Sequence, residues 1–299
     1  LLEYVGELAA LCTSFCWTGG SILFAYSGRR IGSYNVNKIR IPIAALFLII
    51  ILFIRYGNLF PTGADSNALF YLSLSGIIGL SIGDTFSFRS LVILGPRKGA
   101  LLGSLAPIIT ALFAFIWLGE KLSLLAMAGI LITLAGISWV TTETKDEKLD
   151  HREGSKALGV LMGIGGAAGQ AIGFVFAKQG LGSSFDPMSG NLIRMLAATA
   201  AIWIVAIYRR ETVSTIKSMR DTKAVQALMG AAFLGPTIGV WMSLVAVQHT
   251  KAGIAAAIMA TYPVIIIPAT MIVHKERPTW RSVVGAIVAV GGVVMLFWD

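Results

Sequence analysis

The sequence predicts an all-α integral membrane protein whose ten transmembrane helices form two inverted five-helix repeats. Three observations predict it: a composition too apolar for water, ten apolar runs of bilayer length, and a second half that repeats the first at a fixed offset. Of 299 residues, 56% are hydrophobic and 13% charged, and the mean hydropathy is +0.79. Soluble domains carry about 25% charged residues. A hydrocarbon core of roughly 30 Å needs about 20 mostly apolar residues as a helix, and a helix satisfies its own backbone hydrogen bonds there.

Ten apolar runs follow one another along the chain. The first, 6–26, holds Trp17, Gly19 and Gly20 within a membrane-length stretch, with no basic region before it and no Ala-x-Ala site after it, so it reads as a span and not a cleaved signal. Cys12 and Cys16 lie one turn apart on it, which is poor geometry for a disulfide and reads as packing. The second, 34–54, carries Arg40 near its start. The third, 69–91, contains Asp84 in GLSIGDTFSFR and Arg89 near its end. The fourth, 98–118, has Pro107 inside it and leads through LGEKLS into the fifth, 122–142. The sixth, 157–179, contains GIGGAAG. That stretch lies within a span with no strand before it, so the four-residue spacing of Gly165, Gly169 and Gly173 reads as a close helix contact and not a dinucleotide fingerprint. Gln170 sits mid-span beside them, and Lys178 near the end. The seventh, 188–208, carries Arg194, the eighth, 224–247, Trp241, and the ninth, 252–273, Tyr262 and Pro263. The tenth is 280–298. His151, His249 and His274 lie near different loops without helical i, i+4 partners, so no metal site and no cofactor is expected.

Laid over the first half at an offset of 156, Gly239 falls on Gly83, Pro263 on Pro107, Glu276 on Glu120, Arg277 on Lys121, Gly285 on Gly129 and Gly292 on Gly136. Arg194 falls on Arg40 at an offset of 154. The expected division is therefore a first unit at 1–145, a charged linker at 146–156 and a second unit at 157–299. Because five is odd, tandem units enter the membrane from opposite sides. Sixteen Lys and Arg fall in the odd-numbered loops (1-2, 3-4, 5-6, 7-8 and 9-10), whereas the even-numbered loops hold only Arg55, Lys121 and Lys251. The positive-inside rule puts the odd loops in the cytoplasm and both termini outside.

The paired five-helix units, the Pro in each fourth helix, the Gly-Glu or Lys-Glu turn after it, the Gly-spaced fifth helix and the Arg early in each second helix resemble the drug/metabolite transporter superfamily, EamA family. The resemblance covers almost the whole chain. It implies ten helices, a central cavity between the halves and export of small metabolites such as amino acids or related amphiphiles across the cell (inner) membrane. It also implies cytoplasmic termini and a basic loop 2-3, which the charges here oppose.

A charge in hydrocarbon is costly, so intramembrane polar residues are the functional candidates. Asp84 is the one acid well inside a span; it suits either an ion pair with Arg40 or Arg194 or a substrate or proton site. Arg40 and Arg194 suit carboxylate binding, with snorkelling to the headgroups as the structural alternative. Snorkelling is the favoured reading of Arg89 and Lys178. Gln170, Trp17, Trp241 and Tyr262, with Pro107 and Pro263 interrupting the fourth helices, fit a central cavity with stacking surfaces. The expected substrate-binding set is Trp17, Arg40, Asp84, Gln170, Arg194, Trp241 and Tyr262. The expected partners are a small-molecule substrate, the lipid bilayer and protons as a candidate coupling ion, with no nucleic acid; the chain is expected as a monomer or a homodimer. A membrane-embedded enzyme would need a nucleophile with its base, a metal cluster or paired carboxylates at membrane depth, and none is visible; a passive channel would not require two inverted halves.

Overall fold

The computed structural model describes residues 4–94, 96–143, 155–262, 264–265 and 279–298. Among them every regular element is a helix: α1 (Val5–Ile31), α2 (Ser33–Tyr56), α3 (Ser66–Ser75), α4 (Asp84–Leu94), α5 (Pro96–Gly103), α6 (Ala106–Leu118), α7 (Leu124–Glu143), α8 (Lys156–Leu181), α9 (Pro187–Tyr208), α10 (Thr212–Ser218), α11 (Thr222–Ala232), α12 (Val240–His249), α13 (Ala252–Met259) and α14 (Trp280–Leu296). The boundaries follow local chemistry. Gly32, at φ 82°, separates α1 from α2, and Gly119, at φ 68°, ends α6 in the left-handed conformation that glycine adopts without penalty. Asp65, Ser155, Asp186 and Asp221 cap α3, α8, α9 and α11 by accepting backbone N–H bonds.

Seven helical stretches among the described residues are long and apolar enough to cross a bilayer, and Leu124–Val140 and Val283–Leu296 are shorter apolar helices. The expected ninth span is described through α13 and at 260–262 and 264–265; Pro263, the rest of the span and the turn containing Glu276 lie outside the described residues. The expected fourth span is not one helix. The chain turns at Ser104 and Leu105 and restarts with Pro107 in the first turn of α6, where a missing N–H costs nothing.

The third and eighth spans also depart from plain α-helix. A π-helical stretch, Gly76–Gly83, joins α3 to α4, and another, Phe233–Gly239, joins α11 to α12. Their last residues, Gly83 and Gly239, are partners in the repeat. In the second stretch Pro236 removes an N–H from the ladder, and Thr237 Oγ1 donates to the Ala232 carbonyl at 2.9 Å in its place.

The two units pack reciprocally. The α3–α4 span of the first unit lies against α8 of the second, as the α11–α12 span of the second lies against α1 of the first. Helix α6 meets α8 as α13 meets α1, while the equivalent pairs α2 and α9, α6 and α13, and α7 and α14 meet each other. That is the pattern of a two-fold relation, in which a contact of i with j recurs as j with i. Between α7 and α14 the repeat glycines cross: a β-carbon on Gly129 would lie 3.0 Å from the Gly292 carbonyl oxygen, and one on Gly285 3.1 Å from that of Gly136. Gly169 and Gly173 of α8 likewise abut Gly83 and Gly79 backbone to backbone, and Gly165 lies under the Phe86 ring.

Candidate functional site

Where the two π-helical stretches meet α2, α8 and α9, the interior becomes polar. Asp84, the first residue after Gly76–Gly83, is buried, as is Arg40 of α2. Arg40 Nη2 donates to Asp84 Oδ2, and Gln170 Nε2 of α8 donates to Asp84 Oδ1 at 3.1 Å. The carboxylate therefore joins residues of both units. The Arg40 guanidinium also has Phe24 and Phe88 ring centroids each 5.2 Å away, and its Nε donates to Asn37 Oδ1 at 2.8 Å. Asn37 Nδ2 reaches Thr85 Oγ1 at 3.2 Å, closing a network from α2 to α4. Ion pair, hydrogen bonds and ring faces together offset the cost of removing this charge from water.

Arg194 of α9, the repeat equivalent of Arg40, is 2% exposed. Its Nε and Nη1 are buried and have no hydrogen-bond partner among the described residues. Neither arginine snorkels. Arg194 Nη2 faces Gly79, where a β-carbon would lie 3.6 Å from it, and Asp84 is within electrostatic reach. One turn earlier Asn191, fully buried, donates Nδ2 to the Pro236 carbonyl at 3.0 Å and to that of Thr237 at 3.3 Å, while its Oδ1 has no partner among the described residues.

Trp17 of α1 stacks on Phe174 of α8, with centroids 6.5 Å apart and planes at 24°, and meets the Tyr262 ring edge-on at 6.3 Å. This aromatic group joins both units. Thr18 Oγ1 donates to the Tyr262 carbonyl at 3.1 Å and Ser14 Oγ to that of Ile258 at 2.9 Å, which holds the end of α13 against α1. Trp241 is not in this group; it packs against the apolar cluster of α2 and α9 that includes Ile41, Leu48 and Leu192.

At the even-loop end a second polar group ties the units together. Glu120, from LGEKLS, forms an ion pair with Lys178 of α8 at 2.5 Å and accepts the Ala252 N–H at the start of α13 at 2.8 Å. Lys178 Nζ also donates to the Thr250 carbonyl at 2.5 Å, and Thr250 Oγ1 to Glu7 of α1 at 2.5 Å. Lys178 is therefore held inward, and the glutamate of the turn serves as a strut between α6, α8 and α13. Arg89 at the other end donates to Tyr34 Oη at 2.9 Å.

Sequence reasoning overlooked Asn37 and Asn191, although NKIR at 37–40 and NLIR at 191–194 repeat at the offset already found for the arginines. Phe24, Phe88 and Phe174 carry no comparable signal, because aromatics in apolar runs are ordinarily packing.

A family model described as "EamA-like transporter family" matches residues 4–142 and again 157–298. No curated protein matches the chain. Among solved structures, one described as "Crystal structure of protein" superposes with a TM-score of 0.72 at 15% sequence identity, covering 97% of this chain and 95% of that chain. At that identity the likeness is one of fold.

Proposed function

The chain belongs to the EamA-like transporter family, a multi-pass membrane family of the drug/metabolite transporter superfamily, and from that premise we propose that it is a secondary exporter of small amphiphiles, amino acids being the simplest example. It works by alternating access to a centre between its two units, in the inner membrane, with the termini outside. The observation that carries this reading is Asp84, a buried carboxylate bonded at once to Arg40 of one unit and Gln170 of the other. A contact that spans the halves is remade whenever they move.

In this reading Trp17 and Tyr262 stack on the apolar part of the cargo, Arg40 and Arg194 take its carboxylate, Gln170 and Asp84 complete the polar wall, and Trp241 supports α2 and α9 from outside the cavity. A stacking contact contributes about 0.5 to 1.5 kcal/mol beyond area burial and a charge-assisted hydrogen bond about 1.5 to 3 kcal/mol, so either changes affinity several-fold or more. Asp84, released from Arg40, is the group placed to load a proton. The energy for transport comes from the substrate gradient or from protons.

Purified protein in liposomes preloaded with unlabelled amino acids tests the proposal. Labelled amino acid accumulates by counterflow, amino acids outcompete their amides, and Tyr262→Ala weakens uptake while leaving the protein folded. Counterflow at the level of empty liposomes for all twenty amino acids contradicts the substrate class.

A further inference from the structure

The two copies of Asn-x-Ile-Arg have the same four positions and opposite hydrogen-bond states. In the first copy Arg40 Nε donates to Asn37 Oδ1 at 2.8 Å and Nη2 takes Asp84. In the second the same two atoms, Arg194 Nε and Asn191 Oδ1, are both buried and both without partners among the described residues. A donor and an acceptor three residues apart on one helix, each left unmade, are expensive to keep buried unless another state uses them. The acid that completes the first copy has no repeat counterpart: Val240 and Ile238 stand where the offsets of 156 and 154 would put one. Among the described residues, Asp84 is the one buried carboxylate near the two buried arginines, and it is bonded to Arg40 alone of the two.

We propose that Asp84 is exchanged between Arg40 and Arg194, so that the two Asn-x-Ile-Arg copies swap closed and open states as the transporter changes the face to which it opens. This rests on the alternating-access reading above and names the bond that distinguishes its two states. The route lies in the π-helical stretch. The Asp84 N–H bonds to the Gly79 carbonyl, five residues back. Rewinding that stretch to α-helix moves the bond to Leu80 and turns everything after it by about 100°, the angle of one residue. In the exchange that turn breaks the bond to Arg40, and Asp84 is taken up by Arg194, whose Nη2 faces Gly79 of the same stretch. Gly79 and Gly83 face Gly173 and Gly169 across that turn, with no β-carbons in the way. Arg194 Nε closes on Asn191 Oδ1, as Arg40 Nε now does on Asn37, and the first copy becomes the open one.

The test reads conformation instead of flux. Spin labels are placed in a Cys12→Ser, Cys16→Ser background at Leu8→Cys with Ser183→Cys for the even-loop end, and at Arg29→Cys with Lys156→Cys for the odd-loop end. Distance distributions are measured by double electron–electron resonance in nanodiscs. Arg40→Met moves the populations toward a longer even-end and shorter odd-end distance by about tenfold in ratio, whereas Arg194→Met leaves only the state described here. Should Arg40→Met fail to fold around an unpaired Asp84, Arg40→Met with Asp84→Asn removes both charges; the exchange predicts that it then responds no differently to a further Arg194→Met. Identical distributions for Arg40→Met and Arg194→Met overturn the exchange, as does a single unchanging distribution in all variants. If counterflow persists in the native protein in either of those cases, the transporter reading stands and only the exchange is lost.

Discussion

Arg40 and Arg194 show how the same side chain at equivalent positions acquires different energetics. Removing one partner of a buried pair leaves an uncompensated charge and costs about 3 to 5 kcal/mol, whereas deleting a buried group that has no partner removes its burial cost with it. Arg40→Met is therefore expected to lower the thermal midpoint in detergent markedly, and Arg194→Met to leave it unchanged or raise it. Scanning fluorimetry of the two variants checks the order, and an equal loss for both contradicts it. The central carboxylate predicts a second result: Asp84→Asn flattens the pH dependence of counterflow, and a variant with native rate and profile leaves Asp84 neither proton site nor moving partner. Outside the membrane, the hydrogen bond from Arg30 holds the Asp221 carboxyl below its ordinary value. A depressed carboxylate contributes stability above its unfolded value of about 4 and loses it as the pH falls through its folded value. The tie between α1 and α11 is expected to be intact at neutral pH and released only in acid, which carboxyl NMR titration of native and Arg30→Ala protein checks by an upward shift in the variant. At this scale Arg40, Asp84, Gln170 and Arg194 were legible in the sequence because polarity in hydrocarbon is rare, whereas Asn37 and Asn191 showed only as a repeat beside the arginines. Of the aromatics, Trp17 and Tyr262 were picked out and do meet, but Phe24, Phe88 and Phe174 were not, because ring contacts depend on which helix faces which.

Helices that approach backbone to backbone have little tolerance for added volume. A β-carbon on Gly173 would sit 2.9 Å from the Gly79 α-carbon, at the π-helical stretch itself, whereas one on Gly103 meets nothing within 4 Å. Gly173→Ala is expected to cost about 1 to 3 kcal/mol, as overpacking generally does, and to slow counterflow, with Gly103→Ala as the neutral control. Equal behaviour of the two variants contradicts the close contact as a functional element. The four-residue glycine spacing gave this contact away in the sequence, since small residues at that period have one use in lipid. The π-helical stretches left no such trace. GIIGLSIG reads as ordinary apolar helix, and Pro236 in FLGPTIG marks an interrupted ladder without showing that it widens. Pro107 was legible as a breaker, but its result, a turn at Ser104 and Leu105 with a fresh helix start, needed the backbone.

The whole molecule is two copies of one unit, and the reciprocal contacts of α1 with α11–α12 and of α8 with α3–α4 are the form that duplication takes in space. The offset of 156 was visible in the sequence because glycines, prolines and loop charges stand out as markers among interchangeable apolar residues. Orientation is a separate matter: the asymmetry of basic loops predicts both termini outside. A phosphatase fused after Asp299 is expected to be active and a fluorescent protein there dark, and the reverse pair contradicts it. In the proposed cycle the units part at the even-loop end, breaking the strut from Glu120 to Lys178 and Ala252. This parting is tested most directly by holding that strut shut: Glu120→Cys with Lys178→Cys in a Cys12→Ser, Cys16→Ser background, joined by a short reducible cross-linker and assayed for counterflow in liposomes. The linked protein is expected to stop transporting and to recover when the linker is cleaved; counterflow at the uncross-linked rate with the strut still joined rules out such a parting.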